Sequence, residues 1–333
     1  MTPLAQPTKA QALRRAAVRA TLAASVHNTQ PWRFVLGGDA LEIYADQTRR
    51  LLIVDPAGRQ MLISCGCALF NARVSLASAG YRVSVERFPD PARPEVLARL
   101  SVDVEPIGTP VVLPDIGTLD PVIELRRTNR RHFADDTVPE DVINDLIAAA
   151  AAECAELVPI SRPDDRLRVA TLTQRADAHE SADLAYRVEL REWTSNDPAR
   201  DDGVPSIAVP AGQTSAHDDL PIRDFDFTRA GSSLPAPTGS TAVSWLLLVT
   251  ADDNPGVWLQ AGEALQHVLL EVARHGYAAS PFTQAIEVPQ TRAMLRQKLR
   301  LTKYPHVLLR VGRAPPTPAT RRRRLVDMLV DSA

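Results

Sequence analysis

The sequence predicts an α+β fold assembled from two related halves, and three observations carry that expectation. The first is an internal repeat. CGCALFNARVSLASAGY, residues 65 to 81, and AGEALQHVLLEVARHGY, residues 261 to 277, superpose with a shift of 262 − 66 = 196 residues. The shift matches Gly66 with Gly262, Ala68 with Ala264, Leu69 with Leu265, Ala77 with Ala273, Gly80 with Gly276 and Tyr81 with Tyr277. Two Ala-rich helices can resemble each other by chance, but the shared Gly-Tyr terminus favours duplication. The second is local grammar: each copy has apolar residues at helical spacing, closes on Gly and runs into an extended segment, RVSVERF or AASPFTQ. The third is the Pro/Gly/Val-rich stretch VDVEPIGTPVVLPDIGTLD, which divides the chain into halves at 1–110 and 120–333.

Taken in order, residues 10 to 24 read as a helix that stops in the polar loop SVHNTQP, because Pro31 cannot continue it. The apolar WRFVL that follows reads as a strand. In the second half, IELRRTNRRHF packs Arg126, Arg127, Arg130 and Arg131 around Thr128 and Asn129. At a helix end, Arg126 and Arg130 share a face one turn apart, an arrangement that suits a phosphate dianion; a solvated basic face is the plain alternative. Pro139 and Glu140 then open a helix of period 3.6, with Thr137 or Asp136 as its cap. A helix over ADLAYRVELREWTS precedes a Pro/Gly/Asp/Ser-rich insertion, residues 195–240, whose apolar patches SIAVP and LPIRDFDF suit a docking lid. VSWLLLVT reads as a strand. The C-terminal LLRVGRAPPTPATRRRRLVDML reads as a strand, a Pro-rich turn, the Arg321–Arg324 run and an apolar end that docks on the body, with a disordered basic tail as the alternative.

Composition narrows the function. The chain has 333 residues, 45% hydrophobic and 23% charged, with a formal net charge of -2. That balance argues against bulk nucleic-acid binding. The longest apolar run, Val243 to Val249, is short for a membrane span, and Arg14, Arg15 and Arg19 fall where a signal peptide needs its apolar centre. The expectation is a cytoplasmic protein with neither membrane nor nucleic acid as partner. Cys65, Cys67 and Cys154 give no disulfide framework or zinc spacing and read as small buried residues. The histidines make no metal motif, and G-x-S-x-G, P-loop and G-x-G-x-x-G patterns are absent from the sequence. His27 reads as a loop donor, with contact to a substrate as the alternative.

The Arg126-Arg127-Thr128-Asn129-Arg130 run and the Ser25-x-x-Asn28-x-Gln30-Pro31-Trp32 loop together resemble the motifs of the FMN-dependent nitroreductases, and more closely those of the divergent mycobacterial Acg group, flavin-binding proteins associated with hypoxia and dormancy. Each motif occurs once, in opposite halves. The first helix carries Arg14-Arg15-Ala16-Ala17-Val18 without a hydroxyl, and AAAECAELVPI stands where a second QPW loop would be. The resemblance implies an intramolecular pseudo-dimer about a pseudo-twofold axis, with one FMN site completed by a single chain. It implies that Arg126, Arg127, Thr128 and Arg130 hold the phosphate with Arg322 and Arg323. Ser25, Val26, Asn28, Gln30 and Pro31 would meet the ribityl chain and pyrimidine edge, and Ser280, Pro281, Thr283 and Gln284 would flank flavin N5. In this sequence Ala24 replaces the usual Pro, Thr128 replaces Ser, and SPFTQ lacks the acidic-Gly pair. Two functions follow: an oxidoreductase passing hydride from a nicotinamide donor through FMN to a nitroaromatic or quinone-type acceptor, or a flavin store under a lid. An interaction protein without flavin is the third reading.

Overall fold

The computed structural model describes residues 7–103, 116–208, 223 and 243–330. Helix α1, Lys9–Ala20, opens on a capping box: the Thr8 side chain accepts from the Gln11 amide at 3.3 Å and Gln11 Oε1 accepts from the Thr8 amide at 2.9 Å. It ends earlier than its sequence period suggests, because Leu22 and Ala23 tighten the last turn onto the carbonyls of Arg19 and Ala20. Strands β1 (Trp32–Leu36), β2 (Ala40–Ala45), β3 (Arg82–Arg87) and β4 (Val96–Asp103) form an antiparallel sheet in the order β1-β2-β4-β3, with α2 (Arg59–Ser78) between β2 and β3.

The second sheet repeats this plan. Helix α3 (Glu140–Ala152) and β5 (Glu156–Pro159) lead into α4 (Pro163–Ala182) and α5 (Leu184–Glu192). Then β6 (Ser244–Thr250), α6 (Pro255–Arg274), β7 (Ala278–Phe282), the short α7 (Gln284–Glu287), α8 (Pro289–Lys298) and β8 (Tyr304–Gly312) complete the order β5-β6-β8-β7. Details repeat as well. A bulge interrupts β2 between Ile43 and Tyr44 and β6 between Leu248 and Val249. Helices α2 and α6 begin and end 196 residues apart, and Gly80 and Gly276 close them at φ 79° and 74°, a conformation glycine adopts without cost.

The two long helices cross at the glycines the repeat singles out. A Cβ on Gly66 would stand 2.8 Å from the Gly262 Cα and run into the Leu259 carbonyl; one on Gly262 would stand 2.8 Å from the Gly66 Cα and run into the Ile63 carbonyl. The contacts are reciprocal under the 196-residue shift, as across an isologous interface. Helix α2 is apolar enough in length and composition to cross a membrane, so the longest apolar segment is here and not in β6. It packs against α1 and α6, and nearly all its residues are buried.

Ion pairs close the surroundings. Arg15 and Arg19 bind Asp120, and Arg19 binds Glu124, on the 3-10 segment Ile116–Glu124; the α1 arginines are thus structural. Glu263, fully buried, accepts from Arg87 at 2.6 Å and Arg73 at 2.6 Å, and Arg73 also reaches Glu153 at 2.5 Å. The C-terminal segment docks on the first sheet. Phe34 donates to the Met328 carbonyl at 2.9 Å, Val330 donates to the Phe34 carbonyl at 2.9 Å, and Met328 is fully buried. Two local expectations change. α3 starts from Pro139 with no side-chain cap, because the chain enters extended and leaves neither Thr137 nor Asp136 at the capping position. Cys154 is exposed, in a left-handed turn after α3, while Cys65 and Cys67 are buried. The join expected between residues 110 and 120 lies largely outside the described residues, as does the 195–240 insertion beyond Ala208, Arg223 excepted.

Candidate functional site

A cavity of about 780 Å³, counting its mouth, opens between the halves. From the first half it takes Ser25, Val26 and His27 after α1, and Gln60, Ser64 and Cys67 of α2. From the second it takes Thr128, Arg130 and residues 280–284, from the end of β7 to the start of α7. Arg223, from the insertion, completes the wall. Gln60, Ser64 and Cys67 sit at i, i+4 and i+7 on one face of α2, a stripe the sequence displays and motif reading passes over.

The Ser25–Pro31 loop is a bent, strained turn. His27, Asn28 and Gln30 have φ of 45°, 55° and 50°, uncommon for residues other than glycine. Ser25 stabilises it by accepting from the Gln30 amide at 3.1 Å, and Ser64 holds it to α2 by accepting from the Val26 amide at 3.1 Å. Trp32 anchors it, fully buried. Asn28 and Gln30 do not line the cavity. Asn28 donates to the Gly203 carbonyl at 2.9 Å and accepts from Arg322 at 2.7 Å; Gln30 donates to the Asp201 carbonyl at 2.8 Å and accepts from the Arg323 amide at 2.8 Å. The polar loop therefore ties together the start of the insertion and the C-terminal arginine run. Pro31 is buried behind it, its carbonyl accepting from Cys65 at 3.2 Å.

The arginine run is extended. The 3-10 segment stops at Glu124, Thr128 bridges Ala279, and the Asn129 amide donates to the Ala279 carbonyl at 2.9 Å. The helix-end geometry expected for Arg126 and Arg130 is replaced by a partition, because pairing with the β7 backbone outweighs a further helical turn. Thr128 and Arg130 face the cavity, while Arg126, Arg127 and Asn129 line a groove on the other side. Arg126 is 4% exposed, and its Nε and Nη1 lack a hydrogen-bond partner among the described residues; so does Nε of Arg322. Burial lowers Arg126 to about 10, with Arg127 adding to the shift, and burial together with Arg126 and Arg127 lowers Arg322 to about 9. Buried, mutually repelling cations with unused donors fit an anion. Arg323 differs: it lies 3.8 Å from Asp46 and donates to the Gln30 carbonyl at 3.3 Å.

Across the cavity, Arg223 is 7% exposed and joins α5 and α7. It donates to the Tyr186 hydroxyl at 2.7 Å, forms a short ion pair with Glu287, and approaches His27 Nε2 at 3.3 Å. Burial, then Arg223, lowers His27 to about 3, so the ring is neutral at physiological pH. Burial raises Glu287, but Arg223 outweighs it and holds the carboxylate ionised; burial pushes Glu180 up to about 9. Around these, Leu51, Val54, Tyr186, Leu190 and Val204 form a small core that includes Val26, and the Glu189 carboxylate accepts from the amides of Leu52, Ile53 and Val54. Arg223 carries no sequence signal of its own; it is one charge in a long irregular stretch.

No family model matches the chain. A Mycobacterium tuberculosis H37Rv protein named "Putative NAD(P)H nitroreductase" is 35% identical over 330 residues, covering 96% of this chain and 91% of its own. The acg nitroreductase of the same strain, named with the same qualifier, is 30% identical over 311 residues, covering 92% and 91%. The chain belongs to the nitroreductase family, in its Acg group. Among solved structures, a nitroreductase with bound FMN from Bacteroides fragilis is 12% identical, covering 62% of this chain and 93% of its own at a TM-score of 0.37. An iodotyrosine deiodinase bound to FMN and 3-iodo-L-tyrosine is 14% identical, covering 62% and 95% at 0.39. The family assignment rests on the sequence relatives. Within this nitroreductase-like α+β chain, the residues of the two motifs meet around one cavity and its adjoining partition.

Proposed function

We propose that the cavity holds one FMN and that the chain is a flavin oxidoreductase of nitroreductase type, using a nicotinamide donor and a nitroaromatic or quinone-type acceptor. The observation that carries this reading is the pair of buried, under-partnered guanidinium groups, Arg126 and Arg322, beside a cavity lined by both halves. Those arginines would hold the phosphate, Thr128, Ser25 and Ser64 would serve the ribityl hydroxyls, and Arg130 would face the polar edge of the ring. The apolar walls, Ile63, Leu265, Pro281 and Phe282, match a flat ring. Bound FMN would supply the hydride acceptor and donor. The protein's part is to orient the ring and exclude water; with His27 neutral at about pH 3 and above, protons for an acceptor come from solvent or from another group.

The repeated sheet order, repeated bulges and reciprocal glycine contacts support a duplicated ancestor, so that one chain completes its own site without a partner. They also support a single site. The 196-residue shift carries Cys67, in the cavity wall, onto Glu263, whose ion pairs with Arg73 and Arg87 fill the related position.

A second reading, flavin storage with little turnover, is favoured by Arg223. A buried arginine from the insertion is fastened to Glu287 and Tyr186 within the cavity wall, and the insertion would act as a cover that must open before a donor stacks on the ring. Stopped-flow reduction of the FMN-loaded chain by NADPH separates the two. An enzyme bleaches in the wild type within the turnover time; a store bleaches slowly until Arg223→Gln loosens the cover. Equally slow bleaching in both chains excludes Arg223 as the barrier.

A further inference from the structure

Beyond the partition lies a groove of about 850 Å³, counting its mouth, which shares Arg126 with the flavin reading and whose other walls that reading leaves unused. Its walls combine two chemistries. Arg126 and Arg127 bring cationic donors, and the buried Thr317 hydroxyl has no hydrogen-bond partner among the described residues. Tyr277 and Ala273 bring apolar surface, with the Arg313 guanidinium 5.1 Å from the Tyr277 ring centroid. Glu124 adds an acceptor. Under-partnered, buried donors specify an anion, and the groove is larger than an inorganic ion fills. The anion must therefore carry a body. A flat base suits the Tyr277 side, and sugar hydroxyls suit the Glu124 carboxylate.

We infer that this groove is an adenylate subsite, taking the phosphate and adenosine of an adenine nucleotide. That moiety has two sources: the outer half of FAD, whose inner phosphate would share Arg126 with the flavin site, or a separate nucleotide bound beside FMN. The inference rests on the FMN reading only where it shares that arginine.

Calorimetry with AMP, on the apo and FMN-loaded chains, and a comparison of FAD with FMN on the apo chain, test it. Two variants accompany them: Ala273→Phe, which places a ring in the groove from a half-buried helix position, and Thr317→Val, which removes the hydroxyl at constant shape. AMP binding that falls about tenfold or more in either variant, with FMN affinity unchanged, supports a separate nucleotide. FAD binding about tenfold tighter than FMN, with the advantage lost in the variants, assigns the groove to a dinucleotide flavin. If neither form of the chain binds AMP and FAD and FMN bind equally, the inference is overturned; AMP binding indifferent to both variants overturns it too. A chain that binds AMP in the groove but no FMN removes the flavin reading and leaves this one standing.

Discussion

Gly66 and Gly262 stand against each other where α2 crosses α6, each leaving no room for a side chain on the other. Gly66→Ala or Gly262→Ala must separate the helices or bend a carbonyl away. Overpacking of this kind costs about 1–3 kcal/mol and occasionally more. Urea unfolding should show that loss for either variant. The double variant should cost less than the sum, because the first substitution already opens the crossing; strict additivity would mean the two glycines do not share one contact.

Glu263 offers a second test of the packing between the halves. Removing it by Glu263→Ala takes the carboxylate from Arg87 and leaves Arg73 with Glu153 alone, and breaking a buried pair costs roughly 3–5 kcal/mol. Partial solvent access to both arginines places the expected loss at the low end. Thermal unfolding measures it, and a loss within the range of an exposed pair, about 0–1 kcal/mol, would mean that the network is only superficial.

Acid should weaken the fold through its histidines. His27 and His306 are held neutral to about pH 3, by burial first and by neighbouring arginines second, whereas unfolded histidine protonates near 6.5. Below 6.5 the unfolded chain thus binds more protons, and stability falls with decreasing pH down to about 3. Each group contributes a slope of about 1.4 kcal/mol per pH unit in that window. His27→Asn should flatten the acid limb measured by urea midpoints at stepped pH; an unchanged slope would show that His27 titrates alike in both states.

Phosphate recognition has its own pH window. Arg322 and Arg126 are lowered to about 9 and about 10, so FMN affinity should decline as pH rises through that range and they lose charge. Riboflavin, which shares the ring and lacks the phosphate, should lose less affinity over the same range. Arg126→Ala should weaken FMN by about ten- to a hundredfold at neutral pH, the worth of one charge-assisted hydrogen bond, and leave riboflavin nearly unchanged. Fluorescence titration distinguishes this from a folding defect, which would weaken both flavins together.

Much of the architecture was legible in the sequence because its causes are local or repeated. Gly80 and Gly276 mark helix ends, Gly66 and Gly262 mark the repeat, and Trp32 marks where the polar loop meets the core. Other features depend on distant partners. Thr128 leaves the helix because it pairs with Ala279, and Asn28 and Gln30 turn toward residues 201–203 and 321–323, so a local reading aims them at a ligand. Glu263 was visible as a charge where the other repeat has Cys67, yet only the fold supplies Arg73 and Arg87. Arg223 gains its place from Tyr186, on the helix before the insertion, and from Glu287, far beyond it in sequence, which come together only in three dimensions.

If both halves build one flavin site and Glu263 fills its counterpart, the chain has a fixed flavin stoichiometry. Flavin released from FMN-saturated, gel-filtered protein, measured against chain concentration, tests it most directly. About one FMN per chain is expected, with the monomer retaining it. Two tightly held flavins per chain, or none at saturating FMN, would contradict it.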